Sequence, residues 1–375
     1  MDNQKISTYE AISLILIVVL SHLLLNIPQT IINTSGSSSL LNVIYVSVAV
    51  ILITILVVKL MKPFPNSDLI DISHYLGGKI LKSIIGTILI VYILFIAGIL
   101  LRNAVEALKI IYYFNFRVIF VSIFFIITPL IANIFGEKAI IKCNLIITPV
   151  IIIVMLIAFM SVIPLLVWQR IFPVLGYGFD STFGFNGFSN IFAFNGLLII
   201  MLIVPLLSKP QEFKKISITS IIITAIILFL FVLVLLLGFP FILSVESIAP
   251  IYLIVVNTQL GAFLQRPEAL FIFIWIMFFM SYLNIMILLS LRIFRKVTKI
   301  KSSKTLAYTF STILFVLTFI PPGITEIRFL ENTVYKYITI FITFIIGISI
   351  LIVANIKYKI LKFIHHKKRG VKING

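Results

Sequence analysis

Charged side chains are scarce in this 375-residue sequence. Only 11% of the residues are Asp, Glu, Lys or Arg, whereas 61% are hydrophobic. Soluble domains carry about 25% charged residues, so the composition excludes an ordinary water-soluble core. We therefore predict an all-α polytopic membrane protein.

The sequence contains only one cysteine and none of the common catalytic motifs. Cys143 is the single cysteine, so no intrachain disulfide can form. The sequence has no C-x-x-C, H-E-x-x-H, G-x-S-x-G or Walker loop, and no carboxylate pair lies within a predicted span. We expect no enzyme, no cofactor and no metal site, which leaves binding or transport.

Runs without Asp, Glu, Lys or Arg define ten predicted transmembrane helices in one membrane domain, 1–375. The first run, 11–58, divides at the Gly/Ser stretch 34–39 into helices near 11–32 and 40–61. The apolar part of the run 247–265, Ile248 to Val256, is broken by Pro250 and has about half the ~20 residues that a span needs, so we interpret it as an interfacial loop. The other runs are 83–101, 118–136, 143–169, 181–208, 216–245, 269–291, 305–325 and 337–356.

Lys and Arg are divided unevenly between the two sides of this topology. Ten helices put both termini on one side, and that side carries 23 of the 30 basic residues. The positive-inside rule then predicts that both termini are cytoplasmic. The net charge of +18 is spread over short loops, so it does not indicate nucleic-acid binding. We expect the basic tail 357–375 to contact anionic lipid headgroups.

Two predicted helices contain helix-breaking residues in corresponding positions of the two five-helix halves. Helix 1 contains the run LSHLLLNIP at 20–28, and helix 6 contains NIFAFNG at 190–196 with Pro205 further along. Broken helices free backbone amides and carbonyls near the midplane of the bilayer, where they can bind a small zwitterion. Close helix packing by small and polar residues remains the alternative for each break.

His22 is the one Asp, Glu, Lys, Arg or His that lies within the middle of a hydrophobic run. An unpaired charge at the bilayer centre costs at least ~2.5 kcal/mol, so this residue is a functional candidate. Three roles stay open: a neutral imidazole that bonds an unwound carbonyl, a wall of a ligand pocket, or a group that takes up a proton near neutral pH. Because no other buried charge is predicted, the sequence favours sensing over pumping.

Six short segments, in this order, resemble the spore germination permease family. They are FPN at 64–66, LGGK at 76–79, LR at 101–102, FPVLGYG at 172–178, FAFNG at 192–196, and RPE at 266–268 followed by IW at 274–275. Members of that family are the GerAB/GerKB-type B subunits of nutrient germinant receptors. The resemblance extends from about residue 4 to 360.

The resemblance implies the fold of the amino acid-polyamine-organocation superfamily, a LeuT-like 5+5 inverted repeat with broken helices 1 and 6. Repeat one would span about 8–166 and repeat two about 186–356. The resemblance also implies the spore inner membrane, A-type and C-type receptor subunits as partners, and a small-molecule germinant that is commonly an amino acid.

The family pattern further implies a ligand site around the two breaks. In relatives a position near the helix 6 break is often Glu, and here it is Leu198, which makes the expected pocket more apolar. The expected ligand-binding residues are Ser21, His22, Leu23, Tyr92, Phe95, Phe194, Asn195, Gly196, Leu197, Leu198 and Ser281.

Sensor and transporter share this fold, so the fold alone does not choose between them. The leading hypothesis is a receptor subunit that binds a small, fairly apolar amino acid. The second is a proton-coupled amino-acid permease in which His22 titrates, although helix 5 lacks the lysine that proton-coupled relatives often use. A scaffold with a vestigial pocket is the third.

Overall fold

The computed structural model describes residues 5–112, 117–238, 252–253, 256, 267–300 and 303–371. The predicted interfacial loop 247–265 therefore lies almost wholly outside the described residues. Within them the regular structure is helical, and one isolated β-bridge joins Ile6 to Leu207.

The first half of the chain forms six helices. They are α1 Thr8–Leu23, α2 Ile27–Ser35, α3 Ser39–Met61, α4 Leu69–Tyr112, α5 Val118–Phe135 and α6 Glu137–Val162. A kink at Gly77 and Gly78 divides the 44-residue α4. The kink separates a short helix next to the 62–68 turn from the long transmembrane part.

The second half contains seven numbered helices. They are α7 Phe179–Thr182, α8 Phe185–Phe188, α9 Gly196–Ile203, α10 Phe213–Gly238, α11 Pro267–Thr298, α12 Ser303–Leu317 and α13, residues 324–371. A 3-10 helix, Ser189–Phe194, precedes α9. Two π-helical stretches, Leu330–Tyr335 and Ile340–Ile346, interrupt the α-helical geometry of α13 without ending the helix.

Seven described helices are long and apolar enough to cross a membrane. An eighth span is formed if the pair Phe179–Phe194 and Gly196–Leu206, bent by 46°, counts as one. Two shorter apolar helices, Thr8–Leu23 and Lys304–Leu317, occupy the places of predicted helices 1 and 9. The all-helical membrane fold is confirmed, and the count of ten stays a prediction.

Helix 1 is broken where the sequence predicts it. Ser7 begins α1 with a capping box to Glu10, and α1 ends at Leu23. Pro28 lies in the first turn of α2, where its missing N–H costs nothing, but the same residue cannot continue a helix from α1. Gly36 then ends α2 with φ of 63°, a conformation that glycine adopts readily.

Helix α1 lies at the centre of the bundle. Every residue from Ser13 to Leu23 is buried, and α1 contacts α6, α9, α10 and α11. Its N-terminal end is tied to the end of α9. The Ile6 amide donates to the Leu206 carbonyl at 2.7 Å, and the Ser208 amide donates to the Ile6 carbonyl at 2.9 Å. These ties close the bundle on the side of the N-terminus.

The last helix begins earlier than predicted. The charge-free run 337–356 suggested a span starting near 337, but α13 starts at Ile324 and continues to Val371. The sequence rule ends a span at any charged residue, and Glu331 and Lys336 lie within this helix. Both side chains are buried in the bundle, so the helix accommodates them.

Candidate functional site

The two helix breaks meet around His22, in the last turn of α1. The His22 ring stacks on Tyr335 of α13, with ring centroids 5.0 Å apart and planes 10° apart. Its Nε2 lies 3.1 Å from the Tyr282 hydroxyl of α11, whose ring approaches edge-on. His22 is therefore held by aromatic side chains from two other helices.

Tyr335 connects this cluster to the break of helix 6. The Asn195 side-chain amide donates to the Tyr335 hydroxyl at 2.8 Å. Phe192 of the 3-10 helix approaches the Tyr335 ring edge-on at 5.7 Å. Side chains from α1, α13 and the helix 6 break thus form one continuous contact network.

A partly open cavity lies beside this network, on the α2 side of the α1 break. Its non-atom space, open solvent included, is about 330 Å³, but water centres can occupy only about 10 Å³ of it, room for about one water molecule. A larger ligand therefore needs the walls to move apart. The walls are His22, Asn26, Ile27, Thr30, Ile96, Ile99, Leu100, Phe192, Glu331 and Tyr335.

Glu331 places a carboxylate in this largely apolar cavity. Its residue is 5% exposed, and the Asn103 amide nitrogen of α4 lies 2.9 Å from one carboxylate oxygen and 3.1 Å from the other. Next to it on α13, Asn332 accepts a hydrogen bond from the Thr30 hydroxyl at 2.7 Å. The π-helical stretch of α13 thus supplies most of the polar groups on this side of the cavity.

Lys336 is a second buried charge close to the same aromatic cluster. Its ammonium lies 5.7 Å from the centroid of the Phe192 ring and 3.3 Å from the Asn190 side-chain oxygen. The Thr34 hydroxyl lies 3.5 Å away. In the described part of the chain this ammonium has neutral oxygens and an aromatic ring around it, and no ion pair.

These side chains correct the expectation that His22 is the one ionisable group in the core. Glu331 and Lys336 are 5% and 6% exposed, and Arg102 at the end of the apolar run of α4 is 6% exposed. The charge-free runs left out all three, because Arg102 and Lys336 border a run and Glu331 lies between two runs. The argument for sensing over pumping that rested on missing buried charge is therefore wrong.

Of the residues expected to bind ligand, the structure places His22 in the cavity wall. Asn195 lies outside the wall and donates a hydrogen bond to Tyr335, which is part of it. Phe95 is half-buried on α4. Gly196 packs against α1, where Val19 leaves no room for a Cβ atom. Buried residues outside the cavity wall are Ser21, Leu23, Tyr92, Phe194, Leu197, Leu198 and Ser281.

The polar members of that group are engaged in other contacts. The Ser21 hydroxyl donates to the Ile17 carbonyl at 2.8 Å, and the Ser281 hydroxyl donates to the Met277 carbonyl at 3.1 Å. The Tyr92 hydroxyl donates to Thr339 at 3.0 Å. In this conformation these groups support helix geometry or helix packing, and their role in ligand binding stays a prediction.

Sequence reasoning missed Glu331 and Tyr335, which contribute the carboxylate and the stacked ring. A usable signal was the spacing of Glu331 and Tyr335, four residues apart and thus on one helix face. That signal requires knowing that the helix begins before residue 337. Asn26 and Phe192 lie within the predicted breaks but were not assigned to the site.

The chain matches the family model described as "Spore germination protein" over residues 5–327. Its fold is similar to that of a Na+-coupled sialic acid symporter in a substrate-bound outward-open state. The TM-score is 0.65 at 12% identity, over 92% of this chain and 80% of that one. Among curated protein sequences, none matches this chain.

The likeness at 12% identity shows the fold, which is the LeuT-like fold of transporters. The family is one of permease- and receptor-type membrane proteins rather than enzymes, and it supports a germinant-related or permease-like role. With its many apolar helices the chain is an integral, multi-pass membrane protein. Since the family model covers most of its length, the chain belongs to the spore germination protein family.

Proposed function

We propose that this chain is the B-type subunit of a spore nutrient germinant receptor and binds a small amino-acid-like germinant at the cavity beside His22. It works in the spore inner membrane with both termini cytoplasmic, and it signals to A-type and C-type subunits. The observation that carries the proposal is the cavity itself. It lies where the breaks of helices 1 and 6 meet, and it contains both polar and aromatic walls.

Filling the cavity tests this proposal. Ile99 of α4 lines the cavity and is 3% exposed, so Ile99→Trp should occupy the space that the ligand needs. Ile110, on the same helix and 37% exposed, provides the matched control Ile110→Trp. Binding of L-alanine, L-valine and L-leucine to the chain in lipid nanodiscs is the measurement.

We expect Ile99→Trp to abolish binding of the amino acids that the wild type binds, and Ile110→Trp to leave it unchanged. Unchanged affinity in a folded Ile99→Trp variant would remove the cavity from the proposal. Copurification of A-type and C-type subunits with the wild type tests the partner assignment separately.

A proton-coupled amino-acid permease is the second candidate, and one observation favours it. His22 and Glu331 line the same cavity, so two groups able to exchange protons face one small space. Uptake of labelled amino acid into proteoliposomes under a pH gradient separates the two functions. A receptor without transport accumulates nothing, whereas a permease accumulates label only with the gradient.

The contact between Ile6 and Leu207 offers a sharper version of this test. Residues paired in this way lie about 5 Å apart at Cα, within the range that a disulfide spans. Ile6→Cys with Leu207→Cys, in a Cys143→Ser background, should lock that end when oxidised. Transport that stops on oxidation and returns on reduction would support the permease. Ligand binding that persists in the locked chain agrees with a receptor.

A further inference from the structure

Three backbone carbonyls at the helix 1 break already accept hydrogen bonds. The Leu20 carbonyl accepts from the Leu24 amide at 3.0 Å, and the His22 carbonyl accepts from the amides of Leu25 and Asn26 at 3.4 and 3.3 Å. The Asn26 carbonyl accepts from Thr30, through its amide at 2.9 Å and its hydroxyl at 3.1 Å. These oxygens are therefore poor candidates for binding the ammonium group of a ligand.

The Glu331 carboxylate has acceptor capacity left. An ionised carboxylate offers about four lone-pair sites, and the structure shows one hydrogen-bonding group on it, the Asn103 amide. Arg328, three positions earlier on α13, interacts with this carboxylate through its charge, but among the described residues no salt bridge to Glu331 forms. A buried carboxylate with one hydrogen-bond donor and no cation in direct contact is costly, so a cation that enters the cavity is stabilised there.

The rest of the cavity wall also suits a small cation with an apolar tail. Phe192, Tyr335 and His22 contribute rings, and aromatic faces attract ammonium groups. Ile96 and Ile99 supply aliphatic surface on the α4 side. The polar end and the apolar surface thus line the same cavity.

We propose that Glu331 binds the ammonium group of the ligand, so that the site selects compounds with a primary amine. This inference rests on the proposed ligand-binding function and adds the group that a ligand must carry. It assigns the principal charge contact to α13. The π-helical stretch Leu330–Tyr335 brings Glu331 and Tyr335 to the same cavity, so this stretch forms the recognition surface.

Matched ligands and an isosteric variant test the proposal. The ligands are L-leucine, 3-methylbutylamine, which lacks the carboxylate, and 4-methylpentanoate, which lacks the amine. L-alanine with ethylamine and propionate forms a smaller set. The variant Glu331→Gln removes the charge and keeps the shape, and Glu326→Gln changes an exposed carboxylate of the same helix.

Loss of one partner of a buried charged contact usually costs a factor of about 30 or more in affinity. We expect the wild type to bind the amino acid and the amine but not the deaminated acid. In Glu331→Gln the amino acid and the amine should bind at least ~30-fold more weakly. Glu326→Gln should match the wild type, and Glu331→Asp should retain part of the affinity. Thermal unfolding of each variant establishes that it is folded.

Two failures are distinguishable. A folded Glu331→Gln variant that binds leucine and 3-methylbutylamine as the wild type does overturns the ammonium assignment and leaves the proposed function intact. Wild-type chain that binds the deaminated acid as well as the amino acid also overturns it. Wild-type chain that binds none of the six compounds overturns the assignment together with the proposed amino-acid binding.

Discussion

Gly196 of α9 packs directly against α1, and this contact yields a quantitative prediction. A Cβ atom at this position would lie against Cγ2 of Val19, well inside the 3.0 Å that real Cβ atoms keep, and 3.3 Å from Cγ2 of Ile15. Val19 and Ile15 are fully buried, and neither is the far end of a flexible side chain. Gly196→Ala must therefore push α9 away from α1.

The expected cost follows from measured effects of overpacking. Forcing one extra methyl group into a packed core destabilises a protein by about 1–3 kcal/mol. Val19→Ala alone loses packing worth about 1–2 kcal/mol. In the double variant the alanine at 19 makes room for the alanine at 196. We expect the double variant to be more stable than additivity predicts, by about 1–3 kcal/mol.

Wild type, Gly196→Ala, Val19→Ala and the double variant form a double-mutant cycle. The free energy of unfolding of each is measured in mixed detergent and SDS micelles. Gly323→Ala is the matched control, because a Cβ at Gly323 meets only the carboxylate end of Glu326 at 3.3 Å. Wild-type stability in Gly196→Ala would refute the packing argument. Strict additivity of Val19→Ala and Gly196→Ala would refute the contact between the two positions.

Two further substitutions test the hydrogen bond between Asn195 and Tyr335 and the ion pair between Lys296 and Asp68. Tyr335→Phe keeps the ring on His22 but leaves the Asn195 amide without its acceptor, so the free energy of unfolding should fall by about 1–3 kcal/mol, and unchanged stability would argue against this hydrogen bond. Lys296→Met removes the cation that bonds the buried Asp68, so stability should fall by about 2–3 kcal/mol, less than for a fully buried pair because the lysine side chain is 25% exposed. Simultaneous Asp68→Asn should restore part of that loss, and an effect no larger than that of Lys304→Met at an exposed position would contradict the reasoning.

Much of the fold could be predicted from the sequence, because a bilayer permits few backbone structures. Backbone polar groups in lipid must be bonded within helices or barrels, so charge-free runs predict helices directly. The breaks were predictable for a related reason. Pro28 and the Gly/Ser turn at 34–39 cannot continue a regular helix, and the structure ends α1 and α2 beside them.

Much less of the site could be predicted from the sequence, and α13 shows why. A window rule ends a helix at a charged residue, although a helix continues when a neighbouring helix solvates the charge. Asn103 of α4 does this for Glu331, and it is 228 positions away in the chain. Tyr335 gave no signal of its own, since the sequence contains 13 tyrosines and 34 phenylalanines. Beyond its spacing from Glu331, only the packing of α13 against the breaks distinguishes Tyr335.

The arrangement of contacts also bears on how a bound ligand could act. On the N-terminal side of the α1 break, Gly196 and Val19 fit closely and the Ile6–Leu207 bridge closes the end of the bundle. On the other side, the cavity lies between α2, α4 and α13. A ligand shifts a conformational equilibrium only through contacts that differ between the two states. In the proposed receptor, a ligand that fills this cavity would separate its walls and need not disturb the close-packed end. A permease must also break the close-packed end in every cycle, so the contacts of Ile6 and Gly196 decide between the two functions.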